Sequence, residues 1–276
     1  AELDLQDDQA VKSFFEQEKP EYVFLAAAKV GGIIANRDHP AEFIYENLKI
    51  QNNVIHNAYV TGVKKLVFLG SVCIYPKYAE VPVKEEYLMT GALEPTNQAY
   101  AMAKLAGITM CQSYNKQYGT NFISAQPTNL YGPHDNFDLT SSHFLPALIR
   151  RTHEAKQRGD KNITLWGTGT PRREFLHSDD MADATVFLME NYNESEIVNV
   201  GCGQDYTIME LTQLISKVVG FDGEILTDPS KPDGTPRRVL DVSKLTNLGW
   251  KSKIAIEDGI RTTYDWYLQN EVSKLS

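Results

Sequence analysis

Lys65-Leu66-Val67-Phe68-Leu69-Gly70 is a short apolar run closed by a glycine, and Ser71-Val72-Cys73-Ile74-Tyr75 follows it directly. Apolar without alternation and too short for a helix, the run reads as a strand buried on both faces. Upstream, about Ala41 to Val60 has a long helical pattern, preceded by Gly31-Gly32 and by a second apolar run, Tyr22 to Ala28. Before that, Asp7 to Lys19 sets Val11, Phe14 and Phe15 among charges as an amphipathic helix does, and Pro20 stops it. Downstream, Gln98 to Tyr118 is helical, and Asn121 to Gln126 is a third strand ending in Pro127-Thr128-Asn129. Buried strands alternating with helices of this length predict an α/β fold, a doubly wound parallel sheet of the Rossmann type. In such sheets ligands bind at the carboxyl ends of the strands, which places function after Leu25, Leu69 and Gln126.

After Tyr131-Gly132-Pro133 the rhythm loosens. A helix from about Phe144 to Lys156, a strand at Ile163 to Trp166 and a Gly/Thr/Pro turn through Pro171 read as a second, smaller α/β lobe. Met181 to Glu190 and the strand Ile197 to Val200 return to the sheet, while Thr207 to Val219, the Ser230 to Arg238 loop and a last helix at Ile256 to Leu268 belong to the smaller lobe. The expected division is a dinucleotide-binding domain over 1–132 that also receives about 174–200, with 133–173 and 201–276 forming mainly the substrate lobe.

With 27 basic and 36 acidic side chains in 276 residues the chain carries a net charge of −9, which disfavours a nucleic-acid partner. At 42% hydrophobic and 23% charged it can bury a core. No stretch approaches the roughly 18 apolar residues of a membrane span, so no membrane partner is expected. Three cysteines, Cys73, Cys111 and Cys202, fit neither a disulfide framework nor a zinc site; no metal is expected, and the cytoplasm is the expected compartment.

Tyr100 and Lys104, four apart on a predicted helix, put a phenol and an ammonium on one face. A neighbouring positive charge favours phenolate, bringing the phenol towards the range where it exchanges a proton with a carbonyl or alcohol oxygen. Alone the pair is commonplace. Ser71 at a strand end adds a second hydrogen-bond donor to the same substrate oxygen, and Ser, Tyr and Lys together polarise a ketone.

With Pro127-Thr128-Asn129-Leu130-Tyr131-Gly132, these residues resemble the extended short-chain dehydrogenase/reductase family that works on nucleotide sugars. The resemblance spans essentially the whole chain. It narrows to a branch acting on a GDP-linked 4-keto-6-deoxy sugar through Ala27-Ala28-Lys29-Val30-Gly31-Gly32, Gly70 to Pro76, Pro127 to Phe137 and Lys231-Pro232-Asp233-Gly234-Thr235-Pro236-Arg237. The family opens with a Gly-rich turn in a βαβ unit that does not precede Ala1, so the chain reads as N-terminally truncated, with a sheet edge bared and cofactor binding weakened. Gly201-Cys202-Gly203 lacks the third glycine of such a turn and reads as an ordinary turn.

The resemblance implies inversion at C3 and C5 followed by reduction of C4 with NADPH. Ser71, Tyr100 and Lys104 would handle the C4 oxygen; Cys73, two residues after Ser71 on the same side of an extended segment, would remove the carbon-bound protons, and His143 would return them. Taken singly, Cys73 is an ordinary small buried residue and His143 a helix cap. The cofactor would lie on Leu25, Ala26, Leu69, Gly70, Ser71, Val72, Lys104, Pro127, Thr128, Asn129, Leu130 and His143. The GDP-sugar would meet Arg151, Trp166, Arg173 and Asp233, with Arg238 a basic neighbour of Asp233. Arg150, Arg172 and Arg237 read as solvated surface groups, and His177-Ser178-Asp179-Asp180 as a helix start capped by Ser or Asp. Homodimerisation through the helices at 41–60 and 98–118 is also implied. The rival readings are a nucleotide-sugar 4-epimerase, a 4,6-dehydratase, which would carry Asp-Glu where this chain has Val72-Cys73, and a non-catalytic module.

Overall fold

The computed structural model describes residues 3–231 and 233–272; Pro232 of the 231–237 motif lies outside them. The first half runs α1 (Asp8–Glu18), β1 (Tyr22–Leu25), α2 (Ile33–Asp38), α3 (Pro40–Val60), β2 (Lys65–Leu69), α4 (Gln98–Tyr118), β3 (Phe122–Pro127) and β4 (Asn129–Tyr131). The second runs α5 (Phe144–Arg158), β5 (Asn162–Trp166), β6 (Arg172–His177), α6 (Ser178–Asn191), β7 (Val198–Val200), β8 (Asp205–Thr207), α7 (Ile208–Val219), β9 (Glu224–Asp228), β10 (Arg237–Arg238), α8 (Ser243–Leu248) and α9 (Ile256–Asn270).

The central sheet has the order β1-β2-β3-β7 and is parallel throughout. Its side chains alternate between two cores, as the period of a strand requires. Leu66 and Phe68 of β2 pack with Val11, Ile55 and Ile108 from α1, α3 and α4. Val67, between them, joins Ile123, Met181, Leu188 and Trp250 on the opposite face. A third core, built from Tyr131, Leu145, Ile149, Leu211, Ile215, Ile260 and Tyr264, binds α5, α7 and α9 into the second lobe.

Of the segment 174–200, only β7 enters the central sheet, opposite Ala125 to Pro127. β6 instead pairs with β4, β10 and, antiparallel, β8. The chain changes sheets at Thr128, whose N–H donates to Val200 O (3.0 Å) and whose hydroxyl donates to Glu174 O (3.4 Å). Glu174 is fully buried, and its carboxylate accepts the N–H groups of Gly203 (2.6 Å) and Leu240 (2.9 Å). One side chain thus joins β6 to the turn after β7 and to the segment after β10.

The cap of α6 differs from expectation. Ser178 and Asp179 are already helical, and His177 occupies the N-cap, its Nδ1 accepting the Asp179 N–H at 3.2 Å. Asp180 is buried and accepts the N–H groups of Lys253 and Ile254 (3.1 and 2.9 Å), which holds the α8–α9 connection. Among the described residues no helix is long and apolar enough to cross a membrane, and no group of three His, Cys, Asp or Glu side chains is placed to hold a metal.

Candidate active site

The carboxyl ends of β1, β2 and β3 lie side by side, in registers that pair Leu25 with Phe68 and Leu69 with Ala125. Beyond Leu69 the chain does not stay extended. Val72–Ile74 is a single 3-10 turn with Ser71 as its N-cap, and the Cys73 N–H donates to Ser71 Oγ at 3.3 Å. Ser71 and Cys73 are therefore brought together by a turn and a capping bond rather than by a shared strand face, a correction to the extended segment expected. Val72 points into the core at 8% exposure, so only its backbone faces the strand ends.

Tyr100 sits in the first turn of α4 and Lys104 one turn later. The Lys104 ammonium donates to Leu69 O at 2.7 Å and lies 4.9 Å from the Phe68 ring centroid and 5.9 Å from that of Tyr100. Burial brings its pKa down to about 8. Burial pushes the Tyr100 phenol up, with Cys73 adding to the rise and the facing Ser71 hydroxyl opposing it. The expected depression of Tyr100 by Lys104 is not realised, because desolvation outweighs a charge that is tied to a backbone carbonyl. Phe43, edge-on to Tyr100 with centroids 6.3 Å apart, closes the other side of the phenol ring.

Burial likewise raises the Cys73 thiol; the Ser71 hydroxyl and the Arg238 guanidinium oppose this, and Glu94 reinforces it. His143 occupies the N-cap of α5, is exposed, and makes no side-chain capping bond, so its ring is not consumed by the structural role that the sequence allowed. Its loop is held from two sides. Asp138 accepts the N–H groups of Thr140 and Ser141, each at 3.0 Å, and Gly32 N donates to Ser141 O at 3.2 Å. A Cβ on Gly32 would stand 2.8 Å from Ser142 O, so the close approach requires glycine.

The second lobe supplies cations. Of the chain's nine arginines, six (Arg37, Arg150, Arg158, Arg172, Arg237 and Arg261) pair with carboxylates. Arg172 and Arg237 both clasp Asp205, and Arg150 binds Glu154; these three lie at the surface as expected and are in addition engaged in ion pairs. Among the described residues Arg151, Arg173 and Arg238 touch only backbone carbonyls: Ala147 O at 3.4 Å, Arg172 O at 2.8 Å, and Pro76 O and Lys77 O at 3.1 and 3.4 Å. Arg173 and Arg238 are register partners on β6 and β10, and burial lowers the pKa of all three guanidiniums. These three partly desolvated guanidiniums, with no ion-pair partner among the described residues, are the groups free to receive an anion. Arg151 and Arg173 are the two expected to meet the GDP-sugar, with Arg238 only a neighbour; two adjacent arginines look alike until pairing separates them.

Trp166, at the end of β5, is 66% exposed and has Lys231 Nζ 5.9 Å from its ring centroid. Asp233 accepts the Thr168 N–H and hydroxyl at 2.9 and 2.8 Å, so it braces the turn after β5. The strand-end residues suit a dinucleotide's nicotinamide half. Ala26 is small and exposed, Gly70 bears no side chain, Leu69 and Leu130 are apolar, and Lys104 spends one of three N–H donors on Leu69 O. Asn129 donates to Glu174 O at 2.9 Å, which holds it between the two sheets.

The sequence profile of the NAD dependent epimerase/dehydratase family matches residues 1–201. A GDP-L-fucose synthase 1 of Arabidopsis thaliana is 60% identical over 270 residues, covering 98% of this chain and 84% of that protein. A GDP-L-fucose synthase of Escherichia coli (strain K12) is 53% identical over 279 residues, covering 98% and 87%. Among solved structures, a GDP-L-fucose synthetase from Naegleria fowleri bound to NADP superposes with a TM-score of 0.91 at 32% identity, covering 98% of this chain and 84% of that one.

Proposed function

The chain belongs to the NAD dependent epimerase/dehydratase family, and from that premise we propose that it converts GDP-4-keto-6-deoxy-D-mannose to GDP-L-fucose, inverting C3 and C5 and reducing C4 with NADPH. The observation that supports this reading best is the convergence of Ser71, Cys73 and Tyr100 at one strand end, with Lys104 one helical turn behind and an anion site of unpaired arginines beyond.

The C4 carbonyl acidifies the hydrogens on both flanking carbons. Cys73 acts from its minor thiolate form, which the Ser71 hydroxyl and Arg238 favour against burial. It removes the proton from one carbon while His143 returns a proton from the opposite face, since inversion requires two groups on two faces. Cys73 then releases its proton to solvent and His143 regains one before the second carbon is inverted. For the reduction, NADPH when bound would supply the hydride that C4 receives. Tyr100, which burial keeps protonated, donates its proton to the C4 oxygen while the Ser71 hydroxyl donates a hydrogen bond to the same atom. Lys104, anchored on Leu69 O, has donors left that would hold the cofactor's ribose, and its charge would stabilise the phenolate left behind. The strand-end residues Leu25, Ala26, Leu69, Gly70, Pro127, Thr128, Asn129 and Leu130 line the cofactor in this reading. Arg151, Arg173 and Arg238 take the diphosphate, Trp166 the guanine face, and Asp233 holds the loop that closes on it.

A homodimer through α3 and α4 completes the proposal. The two helices pack on one another and leave Tyr45, Val60, Met102 and Tyr118 exposed at 61, 56, 45 and 47%. Light scattering at twice the chain's mass supports it, and a monomer removes it. For the reaction, the protein is mixed with GDP-4-keto-6-deoxymannose and NADPH. Loss of 340 nm absorbance stoichiometric with formation of GDP-L-fucose is expected. Interconversion of sugars without net NADPH loss would instead support a 4-epimerase.

A further inference from the structure

β3 is buried at all six positions, and its fifth residue is an amide, Gln126, at 0% exposure. A parallel strand in the middle of a sheet gives such a side chain little to bond, and Gln126 Nε2 has no partner among the described residues. Its other end is engaged: Oε1 accepts the backbone N–H of Ser71 at 3.2 Å. The ladder between β2 and β3 ends with Gly70 N donating to Ala125 O at 2.8 Å. The next N–H, that of Ser71, has no backbone acceptor among the described residues, and the Gln126 side chain passes over Gly70 to meet it. A Cβ at residue 70 would collide with Gln126 Oε1, so the glycine and the amide are a matched pair.

We propose that Gln126 is a positioning residue for Ser71, its amide oxygen fixing the peptide from which the Ser71 hydroxyl projects between Tyr100 and Cys73. The inference rests on the role given to Ser71 above. A buried donor left unpaired is retained here because the acceptor at the other end of the same amide sets the direction of the chain as it leaves the sheet. Only the acceptor matters, so glutamate, which keeps an oxygen at that place, should serve where methionine, of similar length but with no strong acceptor, should not.

The test is a double-mutant cycle in the whole protein: wild type, Gln126→Met, Ser71→Ala and the combination, with Gln126→Glu as the conservative control. Gln126→Met is expected to lower kcat for NADPH oxidation about 10- to 100-fold with KM for both substrates within about twofold. Gln126→Glu should stay within about threefold of wild type, and in the Ser71→Ala background the Met change should cost less than about twofold. Where Ser71→Ala lowers kcat, equal losses in both backgrounds, or an unchanged kcat in Gln126→Met, would overturn the proposal. Hydrogen exchange of the Ser71 amide, read by mass spectrometry on peptides spanning 66–75, separates this from the role of Ser71 itself. If Ser71→Ala keeps wild-type kcat, the catalytic reading of Ser71 fails, while faster Ser71 exchange in Gln126→Met still upholds the positioning and unchanged exchange removes it. Should Gln126→Met not fold, Gln126→Ala takes its place in every arm.

Discussion

The strand-end region around Ser71 and the outer region around Trp166 are built on opposite plans. At the strand end, Cys73 N is tied to Ser71 Oγ and Lys104 to Leu69 O, and Tyr100 is walled by Phe43. At the outer region, Trp166 is largely exposed beneath Lys231, and among the described residues three guanidiniums hold only carbonyls. The first region is fixed in advance, as the proposed chemistry needs, and the second is charged but uncommitted. A catalytic group gains from being fixed before the substrate arrives, because reorganisation in the transition state is costly. A nucleotide subsite can exchange weak internal contacts for the ligand's own at little loss.

The largest expected effects lie at the preorganised end, and they also divide it. Tyr100→Phe should lower NADPH oxidation by roughly 10² to 10⁴-fold while solvent deuterium still enters C3 and C5, and Cys73→Ser should suppress that exchange, read by mass spectrometry of the recovered sugar. Wild-type exchange in Cys73→Ser would return Cys73 to an ordinary buried residue and remove half of the comparison. At the uncommitted end, Arg173→Met should raise KM for the GDP-sugar by roughly 10- to 100-fold with a smaller change in kcat, as loss of a charge-assisted phosphate contact does. A fall in kcat with KM unchanged would place Arg173 in the preorganised set instead.

Arg238 connects the two regions, and pH reads that connection. Burial raises the Cys73 thiol and Arg238 opposes the rise, so Arg238→Met should move the alkaline limb of iodoacetamide alkylation of Cys73, measured without substrate, to higher pH. Glu94 acts in the other direction, and Glu94→Gln should move the limb to lower pH. The smallest effect is expected at Lys231. If guanine stacks on Trp166 as proposed, the contact of Lys231 with that ring, an exposed cation–π pair of about 0.5–1 kcal/mol, has to give way first. Lys231→Ala should therefore tighten GDP binding by about two- to fivefold in calorimetry. Weaker binding would make Lys231 a ligand of the nucleotide and the outer region more committed than its contacts suggest.

Local order was legible wherever one segment held all the information. The helix expected at Gln98 to Tyr118 has those bounds, and the Tyr100–Lys104 spacing placed phenol and ammonium one turn apart. The short strands β4, β6, β8 and β10 were missed because each is two to six residues long and gains its identity from partners far along the chain, Asn129 from Phe175 and Arg238 from Arg173. Glu174 and Gln126 were missed for a related reason: a single polar residue in an apolar run does not reveal which distant N–H groups it will accept.

By itself, then, the sequence determined the α/β alternation, where the buried strands end, and the one-turn spacing of Tyr100 and Lys104, since periodicity and spacing act over a few residues. Only the tertiary structure decided which of nine arginines have no ion-pair partner among the described residues, that Ser71 and Cys73 meet through a 3-10 turn, and that burial raises the Tyr100 phenol. Those outcomes depend on desolvation and pairing between segments far apart in the chain, quantities that exist only once the water between them has been expelled.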